Sequence, residues 1–110
     1  MTMQTEEKRV KLSLCMIVRD NQETLRKCLD SVKSLVDEII IVDTGSTDDT
    51  KIIALEYTGK VYDFHWKDNF SEAKNHALSK AGYGWVLFLD ADESISEKDH
   101  DIIRRLINES

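Results

Sequence analysis

The chain has 110 residues, of which 41% are hydrophobic and 33% charged, and its formal net charge is −6. This length and balance suit a single domain with a modest core, and no apolar run approaches a transmembrane span. The interspersed, net acidic charge argues against a general nucleic-acid binder, which needs a basic face.

Met1 to Arg9 is polar and charged. It lacks the apolar core of a signal peptide and reads as a flexible tail ahead of a domain over residues 10–110. Lys11 to Val18 carries Leu12, Leu14, Met16, Ile17 and Val18 and reads as a first strand. From Gln22 to Leu35 the apolar positions Leu25, Cys28, Leu29, Val32 and Leu35 recur at spacings of three and four, as one helix face requires, with Asn21 as its N-cap. Glu38 to Val42 is a second strand. Ser46, Thr47, Asp48 and Asp49 favour a helix start, which predicts a helix over Thr47 to Tyr57 closed by Gly59.

Lys60 to Phe64 is a shorter third strand. Tyr62, Phe64 and Trp66 are read as packing it against neighbouring helices rather than as a sugar-stacking platform. Ser71 to Ala81 is a third helix, with Ala73, Ala77, Leu78 and Ala81 on one face and Gly82 as its stop. Trp85 to Leu89 is five consecutive apolar residues, which predicts a fourth strand covered on both faces with Trp85 in the core. Ser96-Glu97-Lys98-Asp99 opens a last helix with an acidic residue at the capping-box position and Ile102, Ile103, Leu106 and Ile107 as its buried face.

Strands alternating with helices imply an α/β fold: a Rossmann-like parallel sheet of order 3-2-1-4 with helices on both faces. The two cysteines, Cys15 and Cys28, fall at apolar positions and read as buried thiols, as in a reducing cytoplasm. His65, His76 and His100 match no ligand spacing.

In open parallel sheets, ligands bind beyond the carboxyl ends of the strands, where the strand order reverses. Three polar groups map to that edge: Arg19-Asp20-Asn21 after the first strand, Asp43 to Asp48 after the second, and Asp90-Ala91-Asp92 after the fourth. Asp43, ending an apolar strand, is placed to accept hydrogen bonds from a nucleobase or ribose; the other reading of it is helix capping. Residues two apart in extended backbone face the same side, so Asp90 and Asp92 can share one volume and bind a hard divalent cation such as Mg²⁺ or Mn²⁺. The competing reading is that they cap a turn. Gly45-Ser46-Thr47 lacks the spacing of a P-loop or a dinucleotide fingerprint.

Val42-Asp43-Thr44-Gly45-Ser46-Thr47-Asp48 resembles the Val-Asp-Asp-Gly-Ser-Thr-Asp signature of family 2 glycosyltransferases, which have the GT-A fold. Leu14 to Asn21 is similar to their opening strand and turn, Ser71 to Leu78 to their third helix, and Leu89-Asp90-Ala91-Asp92-Glu93 to their Asp-x-Asp motif. The resemblance implies metal-assisted glycosyl transfer from a nucleotide-sugar, probing uracil with Asp43 and with Arg19 beside the base. It also implies Asp90 at the ribose and metal, Asp92 on a Mg²⁺ or Mn²⁺ that bridges the phosphates, and Lys74 near a phosphate. A carboxylate base would deprotonate the acceptor hydroxyl.

Thr44 stands where the signature has a second Asp, and Asp20-Asn21-Gln22-Glu23 stands where an Asn-Glu pair is commoner. Only 18 residues follow Asp92, fewer than family members carry after this motif, so the resemblance implies a truncated GT-A domain: the donor-binding half, inactive alone, with the base expected beyond Ser110. It leaves apolar surface for self-association into a homo-oligomer. Two alternatives are a non-catalytic nucleotide-binding or oligomerisation module and a haloacid dehalogenase-type phosphatase. The latter is suggested by Leu87 to Ile95, with Asp90 as nucleophile and Asp92 as acid/base.

Overall fold

The computed structural model describes residues 10–64 and 70–109. The expectations for the tail, His65 and Trp66 lie outside these residues. Four strands, β1 (Leu12–Val18), β2 (Glu38–Asp43), β3 (Val61–Asp63) and β4 (Trp85–Phe88), alternate with four helices, α1 (Leu25–Val32), α2 (Thr50–Leu55), α3 (Phe70–Lys80) and α4 (Glu97–Asn108). The sheet order is β3-β2-β1-β4 and every pairing is parallel, as expected.

Strand alternation divides the core into two layers. Leu12, Leu14, Met16 and Val18 of β1 pack with Leu25, Cys28, Leu29 and Val32 of α1, with Ile53 and Ala54 of α2, and with Ile107 of α4. Cys15, Ile40 and Val42 face the other way, onto Ala77 of α3. The small residues Ala73 and Ala77, both fully buried, let α3 lie close enough for the Cys15 thiol to donate to the Ala77 carbonyl at 3.6 Å. Tyr62 meets the His76 ring edge-to-face and Phe64 meets it tilted, at centroid separations of 6.3 and 5.0 Å, so these two aromatics do pack the β3 region against a helix.

α4 is tied to the start of the sheet by Arg104. Its guanidinium donates to the carbonyls of Val10 (2.6 Å) and Leu35 and to Asp37 Oδ2 (3.0 Å), and Asp37 Oδ2 also accepts from Leu12 N–H at 2.8 Å. Ser96 caps α4 as expected, accepting from Asp99 N–H at 3.2 Å.

Several expectations are corrected. β4 packs on both faces, Leu87 and Leu89 on one and Val86 and Phe88 on the other, yet no residue of it is fully buried and Trp85 is 41% exposed. The reason is position: β4 is an edge strand, bonded to β1 alone. On α4, Ile107 is buried, but Ile102 and Leu106 are 43% and 62% exposed, so the apolar stripe is wider than the surface it covers. α1 begins at Leu25 with Thr24 at its N-cap, because the Asn21 side chain is engaged instead by Arg19 N–H at 2.8 Å. α2 begins at Thr50, because the residues preceding it form an irregular loop.

Candidate functional site

The carboxyl ends of β1, β2 and β4 lie on one edge of the sheet. Val18 is opposite Asp43, and Cys15 is opposite Phe88, so the segments following these strands emerge side by side with β1 in the middle. Thr44 fastens the exit of β2 to β1, donating to the Val18 carbonyl from both its N–H (3.0 Å) and its hydroxyl (3.2 Å).

Asp43 is 4% exposed. Its Oδ1 accepts from Gly45 N–H at 2.8 Å and Ser46 N–H at 2.7 Å. Gly45 has φ +117°, a conformation that admits glycine and disfavours any residue with a Cβ, and this turn brings both amides back onto the carboxylate. One oxygen of Asp43 thus closes the Gly45 turn, and it caps no helix, since α2 begins only at Thr50. The other oxygen, Oδ2, is buried and has no hydrogen-bond partner among the described residues. A desolvated carboxylate oxygen without a donor is costly, so its persistence points to a group that the site is built to receive.

Two clefts share a lining residue here. One, of about 410 Å³, is lined by Asp43, Thr44, Gly45, Asp63 and Phe64. The other, of about 330 Å³, is lined by Ile17, Val18, Arg19, Asn21, Thr44 and Phe70. Thr44 borders both, which brings Arg19 and Asp43 to adjoining cavities. A larger open cavity of about 670 Å³ includes Glu38, Tyr57, Lys60 and Tyr83 and begins at the opposite end of β2. Its buried carboxylate, Glu38, is already satisfied by the Ser13 hydroxyl (2.7 Å), Gly82 N–H (2.6 Å) and Lys60.

Asp90 and Asp92 stand in a turn rather than in extended backbone, which corrects the geometry expected for them. β4 ends at Phe88; Glu93 N–H donates to the Asp90 carbonyl at 3.0 Å, and Asp90 N–H donates to Glu93 Oε1 at 2.8 Å. Ala91 is buried and pins the turn to the core, while Asp90 and Asp92 are exposed. The Cys28 thiol donates to the Asp90 carbonyl at 3.5 Å. Burial, together with the charges of Glu93, Asp92 and Asp90, pushes that thiol up to about 11, and burial with the charge of Glu38 does the same to Cys15, so both are protonated, inert core groups at neutral pH.

Among the described residues no three potential ligands are grouped tightly enough to enclose a metal by themselves. The acidic turn nevertheless offers hard carboxylate oxygens on an open surface. That donor set suits Mg²⁺ or Mn²⁺ held by one or two carboxylates, with water and phosphate oxygens completing the shell. Lys74, on α3, places its ammonium 4.9 Å from the centroid of Phe88, two residues before Asp90.

Sequence reasoning missed Asp63 and Phe70, which line the clefts, and the bonds that join the two loops above Thr44. Asp20 Oδ1 accepts from Thr47 N–H at 2.7 Å, Asp20 N–H donates to the Ser46 hydroxyl at 3.0 Å, and Asn21 N–H donates to the Thr50 hydroxyl at 2.7 Å. These partners are more than 25 residues apart, and no local pattern signals them.

The family model described as glycosyl transferase family 2 matches residues 13–109. A TPR repeat-containing protein of Synechococcus elongatus is 52% identical over 84 residues, 76% of this chain and 21% of its own length. The SPbeta prophage-derived glycosyltransferase SunS of Bacillus subtilis is 36% identical over 93 residues, 83% of this chain and 22% of its own. The chain thus spans about a fifth of the length of these curated relatives. Among solved structures, Staphylococcus aureus TarS 1–349 in complex with UDP shares the fold, with a TM-score of 0.72 at 23% identity over 91% of this chain and 32% of that one. Glucosyl-3-phosphoglycerate synthase of Mycobacterium tuberculosis, in complex with Mn²⁺ and UDP-glucose, has a TM-score of 0.67 at 26% identity over 84% of this chain and 37% of that one.

Proposed function

The chain belongs to glycosyl transferase family 2, and we propose that residues 10–110 form the nucleotide-sugar-binding part of a transferase that uses a UDP-sugar donor and a divalent metal. The observation that carries this reading is the buried Asp43 Oδ2, which has no partner among the described residues, beside two clefts that share Thr44 in their lining. A nucleobase N–H or a ribose hydroxyl supplies the donor that this oxygen lacks. Support comes from the synthase that was crystallised with Mn²⁺ and UDP-glucose and matches most of this chain.

In this reading Asp43 recognises the base from β2 while Arg19 flanks it from β1. The base is fixed by a buried, pre-oriented carboxylate, which needs no reorganisation on binding. Asp90 and Asp92 would hold Mg²⁺ or Mn²⁺, with Asp90 also facing the ribose. An ion held there would supply Lewis-acid stabilisation to a diphosphate leaving group. Lys74, seated over Phe88 close to this turn, adds positive charge near the phosphates. Acceptor binding and the base that deprotonates the acceptor are assigned to no residue of this chain.

No helix of the described residues is long and apolar enough to cross a membrane. We place the protein in the cytoplasm, where nucleotide-sugars and reduced thiols such as Cys15 and Cys28 coexist.

Calorimetric titration with UDP, with and without Mn²⁺, tests the reading. The wild-type chain is expected to bind more tightly with Mn²⁺, and Asp92→Ala to lose that gain while retaining metal-free binding. An unchanged Mn²⁺ dependence in Asp92→Ala contradicts the metal assignment.

A further inference from the structure

We infer that Asp20 is a positioning residue for the donor: it locks the loop after β1 to the loop after β2 and so sets the orientation of Asp43. This inference rests on the donor-binding reading and adds to it a residue that touches no part of the nucleotide.

Asp20 has φ +53°, the one non-glycine residue in the left-handed region among the described residues. Asp and Asn tolerate that conformation better than other side chains, and a residue stays there only when its surroundings hold it. Here they do. Oδ1 of Asp20 accepts from Thr47 N–H (2.7 Å), the Thr47 hydroxyl (3.3 Å) and Asp48 N–H (3.4 Å), and its own N–H donates to the Ser46 hydroxyl (3.0 Å). Ser46 is thereby held from both sides: its hydroxyl by Asp20, and its N–H by Asp43 Oδ1 at 2.7 Å.

The consequence is a relay of position in which the Asp20 carboxylate grips Thr47 and Asp48, its backbone N–H grips the Ser46 hydroxyl, and Ser46, the neighbour of Thr47, holds Asp43 through its own N–H. With Oδ1 of Asp43 fixed by the Ser46 and Gly45 amides, Oδ2 is the oxygen left to receive a ligand. Asp20 directly follows Arg19, so the same lock sets the spacing between the Arg19 cleft and the Asp43 cleft across Thr44. The α2 helix could begin without Asp20, because Asp48 already accepts from Thr50 N–H at 2.9 Å. The bonds of Asp20 serve the loop, not the helix.

Two substitutions separate the roles of this residue. Asp20→Asn keeps both the left-handed preference and an oxygen acceptor. Asp20→Gly keeps the backbone conformation and removes the acceptor. Titration with UDP in Mn²⁺ is expected to show Asp20→Gly binding about ten-fold more weakly, as the loss of the acceptor for Thr47 and Asp48 implies, and Asp20→Asn, which keeps an acceptor oxygen, within about two-fold of wild type. Tyr57→Phe is the stability control. It removes a 2.8 Å bond to Asp30 away from the site, and should lower the melting temperature without changing UDP affinity.

If Asp20→Gly does not fold, Ser46→Ala carries the test, with UDP binding expected to weaken about three-fold through loss of the hydroxyl link alone. Wild-type affinity in Asp20→Gly or in the substituting Ser46→Ala, or equal losses in Asp20→Asn and Asp20→Gly, overturns the inference while wild-type UDP binding leaves the donor-site reading standing. Absence of UDP binding by the wild-type chain removes both.

Discussion

The Ser46 backbone N–H lies 2.7 Å from Oδ1 of Asp43, while the second oxygen of the same carboxylate is buried without a partner among the described residues. One side chain thus completes a turn with one atom and keeps the other in reserve. Asp43→Asn preserves the shape and one carbonyl oxygen, and replaces the rest of the carboxylate with a donor. It is expected to weaken UDP binding by about ten-fold or more, with a small change in melting temperature. Asp43→Ala loses the turn as well and should also lower the melting temperature. Calorimetry and thermal unfolding on the two variants check both statements.

Arg104 offers a contrasting prediction, on stability without function. Its guanidinium satisfies the carbonyls of Val10 and Leu35 and pairs with Asp37, and both side chains of that pair are largely buried. Arg104→Ala removes three hydrogen bonds, one of them to the Asp37 carboxylate, from these largely buried groups and should cost about 2–4 kcal/mol in urea unfolding. Arg104→Lys restores the charge but not the planar fork, so it should recover only part of the loss. UDP affinity should stay at the wild-type value in both.

Glu38 makes stability depend on pH. Burial alone would raise its pKa, but hydrogen bonds from Lys60, Ser13 and Gly82 outweigh burial and hold the carboxyl below its ordinary value of 4.5. A group with a depressed folded-state pKa contributes stability above its unfolded pKa, and that contribution is lost as pH falls through the folded value. The melting temperature should therefore fall on acidification below about pH 4.5, and Glu38→Gln should flatten part of that decline. A decline equally steep in Glu38→Gln would assign it to other carboxylates, such as Asp48, whose pKa is lowered chiefly by its bond from the Thr50 hydroxyl.

Much of the fold was legible because its signals are local. The runs Lys11 to Val18 and Glu38 to Val42, the Leu25-Cys28-Leu29-Val32 stripe and the Ser96 cap each mark an element to within a residue or a few. Alternation of strands and helices then restricts the topology, and the order β3-β2-β1-β4 follows.

Depth of burial was less legible. Trp85 and Leu106 are apolar in sequence yet exposed in space, because cover depends on which elements lie alongside rather than on the residue's own polarity. The candidate site shows the same division. The positions of Asp43, Asp90 and Asp92 at or just past strand ends are readable from the apolar runs that precede them. The turn that replaces extended backbone at Asp90 depends on Glu93 closing back on it, and the clasp of Asp20 on Thr47 joins residues 27 apart. Neither leaves a periodic trace in the chain.

The account predicts that ligand binds at the carboxyl edge of the sheet, beside Asp43, and not in the larger cavity near Tyr57, Lys60 and Tyr83. Backbone amide NMR of the isotope-labelled chain titrated with UDP and Mg²⁺ tests this residue by residue. The account predicts shifts concentrated at Ile17 to Asn21, Asp43 to Ser46 and Asp90 to Glu93. Shifts confined to Tyr57, Lys60 and Tyr83, or no shifts at saturating UDP, would contradict it.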